Sequence, residues 1–155
     1  MLKVTIQGLG YVGSATAIAL ASRLNKKKKP IFKVTGVDLK NNLGLKKINE
    51  INKGRFPFRT NDNSIPFFLK KIKKNRNLQA TFQKNSYKSS SIVIMSVNFD
   101  LSFENRKFSE ELKKLKNSFL DIVKNISENT LILIETTLPP GTTEKILFPI
   151  MKKTL

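Results

Sequence analysis

The sequence predicts an α/β fold: a single domain over residues 1–155 in which a doubly wound parallel sheet, strand order 3-2-1-4-5, carries helices on both faces. Three observations predict it. Short strand-like runs alternate with helical periodicities along the chain, the pattern of successive strand–helix–strand units. Ser91-Ile92-Val93-Ile94-Met95-Ser96-Val97 is almost continuously apolar, as expected of a strand covered on both faces. No internal repeat and no flexible linker divides the chain. Right-handed crossovers then lead to the stated order, with ligands expected outside the carboxyl ends of the strands, between the first and fourth.

Each element has its own signal. Lys3 to Gln7 reads as the first strand, Ser14 to Leu24 as an Ala-rich helix and Phe32 to Asp38 as the second strand. Leu45, Ile48 and Ile51 fall three apart in a short helix ended by Gly54. Ile65, Phe68, Leu69 and Ile72 form the apolar stripe of a third helix, with lysines opposite. Leu78 to Phe82 is a short third strand, and Ser91 to Val97 the fourth. Phe108, Leu112, Leu115, Phe119, Ile122 and Ile126 recur at alternating spacings of four and three, one core-facing stripe of a long helix. Thr130 to Glu135 is the fifth strand, an apolar edge if nothing covers it. Pro139-Pro140-Gly141 then turns the chain into a last helix from Thr142, since proline suits a turn or a helix start but not a central strand.

The most specific local motif is Gly8-Leu9-Gly10-Tyr11-Val12-Gly13, placed between the first strand and the first helix. In such a unit Gly8 allows the tight turn, Gly10 lets the backbone approach a pyrophosphate and Gly13 lets helix and strand pack closely. The pyrophosphate would rest on the unpaired N–H groups of the helix N-terminus. Asp38, at the end of the second strand, is placed to accept hydrogen bonds from the adenosine ribose, the basic loop 25–30 accounting for a spacing somewhat longer than usual. A turn-forming aspartate is the other reading of that position. A carboxylate there repels a 2′-phosphate, so the expected cofactor is NAD rather than NADP, with Lys40 nearby working against that preference. Two further segments converge on the same end of the sheet, Val97-Asn98-Phe99-Asp100 and Glu135-Thr136-Thr137-Leu138-Pro139-Pro140-Gly141.

Composition narrows the chemistry. The chain holds no cysteine and no histidine, which removes disulfides, thiolate nucleophiles and the commonest general base and metal ligand; no metal site is expected. Val4 to Ser22 is uncharged and long enough to imitate a membrane span or a signal sequence. Its three glycines and the polar Gln7, Ser14 and Thr16 fit a strand and glycine turn better, so no membrane association and a cytoplasmic location are expected. The net charge of +18 comes from 29 basic against 11 acidic residues. Such an excess favours polyanions, yet the lysines follow the outer faces of helices, as at Lys70, Lys71, Lys73 and Lys74, and form no stripe with interleaved aromatics. Solvated faces, with no specific nucleic-acid partner, are the expected reading.

Taken together, these segments resemble the N-terminal domain of the UDP-glucose/GDP-mannose dehydrogenase family over nearly the whole chain. The glycine segment with its Tyr11-Val12 pair is similar to that family's opening fingerprint, and Val34-Thr35-Gly36-Val37-Asp38 to its second strand. Ile48-Asn49-Glu50-Ile51-Asn52-Lys53-Gly54, with Pro57 following, resembles its I-N-x-G-x-x-P stretch. Glu135 to Thr143 resembles its E-S-T-x-P-P-G-T-T segment. The resemblance implies NAD-dependent oxidation of a nucleotide-sugar alcohol to the carboxylate by two hydride transfers. It implies a pyrophosphate cradle of Gly8, Gly10, Tyr11, Val12 and Gly13, a ribose contact at Asp38, and further cofactor contacts at Val97, Glu135 and Thr137. Thr137 would position water or substrate, against the alternative of a turn or capping hydroxyl.

Two departures stand out. Val97-Asn98-Phe99-Asp100 occupies the place of the family's V-P-T-P, and the acid usual after the proline of the second-helix stretch is replaced by surroundings of Arg59 and Asn61. The resemblance also implies that the nucleophilic cysteine, the central helix and the C-terminal nucleotide-binding domain lie past residue 155, so the chain alone is expected to be catalytically incomplete. Its expected partners are a nucleotide sugar once that domain is present, and a complementary chain or a second copy. Two other functions stay open: a degenerate, non-catalytic binding module with a basic surface, and another NAD-dependent dehydrogenase of the 6-phosphogluconate type.

Overall fold

A computed structural model describes residues 1–100 and 105–155, with side chains for all of these except 105–107. Five parallel strands form one sheet: β1 (Leu2–Gln7), β2 (Phe32–Val37), β3 (Leu78–Thr81), β4 (Ile92–Met95) and β5 (Leu131–Ile134), in the order β3-β2-β1-β4-β5. The expected order is the observed one. β1 is central, pairing in register from Leu2↔Phe32 to Gln7↔Val37 on one side and from Val4↔Ile92 to Gln7↔Met95 on the other.

The helices are α1 (Tyr11–Ala21), α2 (Asn42–Asn52), α3 (Ser64–Asn75), α4 (Asn105–Val123) and α5 (Phe148–Thr154). Period-two alternation divides their packing between the sheet's faces. Val4, Ile6, Val34 and Ile94 point toward α1 and α3, meeting Ala17, Ile18, Leu69 and Ile72. Val93 and Met95 point the other way, into Leu115, Phe119 and Ile122 of α4. A smaller cluster seats Ile48 and Ile51 of α2 against Ala80 and Leu9. On the α4 side β1 presents Thr5 and Gln7 rather than aliphatics. Thr5 Oγ1 shares a 2.6 Å hydrogen bond with Ser90 Oγ, and Gln7 Nε2 donates to the Ser118 carbonyl. Asn77, 2% exposed, donates to the carbonyls of Ala21 and Phe32 and so ties the end of α1 to the start of β2.

Several expected boundaries shift for physical reasons. α1 starts at Tyr11, not Ser14, because Tyr11 and Val12 form an outward-facing first turn that inward periodicity cannot detect; they are 51% and 58% exposed. It ends at Ala21, where Ser22 closes it and a Leu24–Pro30 bridge pins the basic loop. Leu45 and Phe108, assigned to the core stripes, are instead partly exposed. Phe108 packs edge-on to Phe99, and Ile126 lies past the end of α4. The last helix is not uniform. Residues 143–147 form a wide π turn before α5, and Pro149 explains it: a regular helix would need its missing N–H and would press its ring on the Lys145 carbonyl.

No described helix is long and apolar enough to cross a membrane. β5 is an edge strand whose Leu131 and Leu133 side chains are 53% and 43% exposed, an open template for strand pairing. Leu133→Lys is expected to raise the concentration at which the chain stays monodisperse in light scattering. Its effect on unfolding free energy should stay within about 0.5 kcal/mol, as for other exposed substitutions.

Candidate functional site

At the carboxyl ends of β1, β4 and β5 lies a cleft of about 830 Å³. Its walls come from segments remote in sequence, and the sheet brings them together. Gly10, Tyr11 and Val12 form one side, Ser96 to Asp100 the floor beside β4, and Glu135, Thr136 and Thr137 the rim beyond β5. Leu43, Lys46 and Lys47 of α2, with Pro57 and Phe58, close the remaining side.

The glycine loop is built by contact and not by composition alone. Gly8 has φ +91°, and a Cβ on it would stand 2.4 Å from the Ser96 carbonyl oxygen. A Cβ on Gly13 would lie 1.9 Å from the Gly8 oxygen, so α1 rests directly on the turn. Gly10 differs. Its φ is −65°, and the nearest atom to a Cβ there is Asn98 Oδ1 at 3.7 Å, ordinary contact distance. Nothing in the fold requires glycine at position 10. The space its missing side chain leaves opens at the N-terminus of α1, where no acidic residue stands in the first turn and the first N–H groups have no intrahelical partner. That combination suits a dianionic pyrophosphate.

Asp38 sits immediately after β2, its side chain only 7% exposed. Its Oδ2 accepts the Leu9 N–H at 2.9 Å and pairs with the Lys47 ammonium at 2.5 Å, while Oδ1 accepts the Leu39 N–H at 2.7 Å. The carboxylate thus braces the glycine loop from behind, at the carboxyl end of β2. The one acid of the rim is not buried. Glu135 is exposed, and both its oxygens lie 3.5 Å from the Thr16 hydroxyl of α1. Thr136 donates to the Val97 carbonyl at 2.9 Å and so joins the ends of β4 and β5, leaving Thr137 exposed at the cleft.

All nine residues singled out in the sequence are therefore at one end of the sheet. Gly10, Tyr11, Val12, Val97, Glu135 and Thr137 line the cleft, while Gly8, Gly13 and Asp38 shape it from behind. Leu43, Lys46, Lys47 and Phe58 were not anticipated. A signal existed for three of them: Leu43, 74% exposed, shares a helical face with Lys46 and Lys47 at spacings of three and four, so the face of α2 turned from the core carries an apolar residue among cations. Phe58 had none. It reaches the cleft through an aromatic cluster in which Tyr11 meets Phe56 at 5.3 Å and Phe58 at 5.7 Å between ring centroids.

Comparison with known proteins agrees with this geometry. Residues 2–155 match the model of the UDP-glucose/GDP-mannose dehydrogenase family, NAD binding domain. A UDP-N-acetyl-D-mannosamine dehydrogenase from Pyrococcus horikoshii is 28% identical over 145 residues, covering 94% of this chain and 31% of the relative. The enzyme of that name from Methanococcus vannielii is 29% identical, covering 97% of this chain and 32% of the relative. The chain thus spans about a third of the length of the curated relatives it matches. The crystal structure of an NDP-N-acetyl-D-galactosaminuronic acid dehydrogenase from Methanosarcina mazei superimposes with a TM-score of 0.81 at 20% identity, over 99% of this chain and 31% of that one, a likeness of fold. The full-length match does not favour the reading as a degenerate basic module. By its fold, its glycine loop and the family match along residues 2–155, the chain belongs to the UDP-glucose/GDP-mannose dehydrogenase family, as its NAD-binding domain.

Proposed function

We propose that residues 1–155 form one cofactor-holding unit of a dehydrogenase that oxidises the alcohol of a nucleotide-linked sugar to a carboxylate. The carrying observation is the cleft at the switch point of the sheet, where the glycine loop, Asp38 and the Glu135–Thr137 rim converge. NAD supplies a hydride acceptor when bound. The chain's own residues hold and aim it. Gly10 leaves space beside the first N–H groups of α1, where the pyrophosphate would be held, and the exposed Tyr11 and Val12 would cover it. Asp38 keeps the Leu9 amide in place and offers its carboxylate to the ribose hydroxyls. Val97 and Glu135 would border the nicotinamide end, and the exposed Thr137 hydroxyl there would position water or the sugar alcohol.

The substrate nucleotide and the covalent step of the second oxidation would be handled by other parts of the whole protein. This chain has no cysteine to form a thiohemiacetal, so isolated residues 1–155 are expected to bind NAD without turning over a nucleotide sugar. A cytoplasmic location and assembly with a further chain or a second copy belong to the same proposal.

Calorimetric titration with NAD tests the reading. Saturable binding is expected, weakened at least tenfold (about 1.4 kcal/mol) in Gly10→Val. That variant should melt close to the parent, because a Cβ at position 10 would meet no atom of the fold closer than 3.7 Å and the backbone there is ordinary. A folded protein that takes up no NAD would refute the proposal.

A further inference from the structure

Beside the cofactor cleft, on the far side of the aromatic loop, the chain has a second groove of about 720 Å³ between the end of α2 and the flank of α3. Its floor is apolar: Phe56 and Phe58 are half-buried, and Ile65 and Leu69 are buried beneath them. Its rim is cationic. Lys53, Arg55, Arg59, Lys70 and Lys73 all line it, and none of its lining residues is acidic. Arg55 is held by Glu50 at 2.6 Å; among the described residues the other four have no ion-pair partner.

Net basicity alone does not account for this. Several other lysines stand on exposed helix faces, as Lys113 and Lys116 do, or meet acids, as Lys84 meets Asp121 and Lys114 meets Glu111. Here they border a concavity with an aromatic base. Lys70 faces Lys73 one turn on, a like-charge spacing that weakens a helix by a few tenths of a kcal/mol. Lys73 is exposed, but its aliphatic stem lies against Gly54. Its Cδ lies 3.4 Å from where a Cβ on Gly54 would stand, which places the stem at the edge of the groove. Proximity to helix C-termini explains Lys53 and Lys73, but Arg59, on the loop, and Lys70, in mid-helix, have no such partner.

We propose that this groove is a second ligand site, separate from the NAD cleft, that takes a multiply charged phosphate chain on Arg59, Lys70 and Lys73. Phe56 and Phe58 supply a face for a ring carried on that chain. Two sources share this chemistry, a nucleoside diphosphate and an inorganic polyphosphate. The proposal rests on the groove and not on the dehydrogenase reading. Phe58 lines both sites, so the two ligands would sit on opposite sides of one aromatic wall.

The test is calorimetric titration of the intact chain with UDP and, separately, with tripolyphosphate. One-to-one saturable binding is expected. It should fall at least tenfold in the double variant Arg59→Glu/Lys70→Glu. It should change less than twofold in Lys113→Glu/Lys116→Glu, which alters the net charge equally on exposed positions of α4, across the sheet. UDP binding more tightly than tripolyphosphate identifies the nucleotide as the ligand type and the aromatic floor as its ring contact. Equal affinities identify the phosphate chain as the whole ligand. Circular dichroism confirms that both variants fold. Equal losses in the two double variants, no saturation, or displacement of either probe by NAD would each overturn the site.

Discussion

Gly13→Ala is expected to cost the fold about 3 kcal/mol, the upper end of what an extra methyl in a packed contact costs. The added carbon would stand 1.9 Å from the Gly8 oxygen, and the loop cannot retreat to admit it. Gly8 is itself pressed on the Ser96 carbonyl, with a left-handed φ of +91° that leaves no alternative turn. α1 must therefore lift from β1, and the buried row Ala17, Ile18 and Ala21 moves with it. At roughly 2–4 °C per kcal/mol for a chain of this size, the midpoint of thermal unfolding should fall by about 10 °C. Differential scanning calorimetry reads it directly. Gly10→Ala makes the matched control, since its methyl meets nothing closer than 3.7 Å and its backbone is ordinary. The three glycines thus separate into two that the fold needs and one that it does not.

Asp38→Ala should damage stability and cofactor binding together. Its carboxylate accepts the Leu9 and Leu39 amides and pairs with Lys47 from a side chain only 7% exposed. Deleting it strands the Leu9 N–H, hydrogen-bonded at 2.9 Å, and leaves a partly buried ammonium without its partner. Losing a hydrogen bond to a charged group costs about 1.5–3 kcal/mol, and Lys47, still 24% exposed, recovers part of its loss by turning to water. A destabilisation of about 2–3 kcal/mol is expected in chemical denaturation. NAD affinity should fall more than tenfold, beyond what Gly10→Val removes, because the loop geometry and the ribose acceptor disappear at once. Asp38→Asn separates these roles. Its amide oxygen still accepts one backbone N–H, so about half the stability should return, while the charge that holds Lys47 does not. Stability lost without any loss of NAD affinity would show that Asp38 serves the turn alone.

The same residues show where inference from sequence was sufficient. Gly8, Gly13 and Asp38 are local in their logic: a strand, a turn without side chains and a helix start within a few residues of each other, and the order of elements then dictates which strands are neighbours. The apolar run at Ile92–Met95 announced a doubly covered strand because both of its faces had to be buried, and its four residues lie between Ile94's partners in α1 and Met95's in α4. Boundaries were less legible. Tyr11 and Val12 begin α1 on the side facing the cleft, and hydrophobic periodicity detects only the side facing the core. The π turn at 143–147 depended on one missing N–H at Pro149, an effect felt a full turn away from the proline itself.

By itself, then, the sequence determined the fold class, the strand order, the glycine loop and the acid at the end of β2, since each follows from local sterics and from the rule that crossovers are right-handed. Only the tertiary structure decided how that acid is used. It placed Lys47, nine residues on and turned by α2, against Asp38 rather than in solvent. It brought Phe58 from the α2–α3 loop into contact with Tyr11, making one aromatic wall for two cavities. It also brought Lys53 at the end of α2, Lys70 and Lys73 of α3, and Arg55 and Arg59 of the loop together on the rim of one groove. The physical reason is common to all three. Side-chain partners across elements are set by how helices are rotated and seated on the sheet, and that depends on the whole packed core rather than on any stretch of residues read alone.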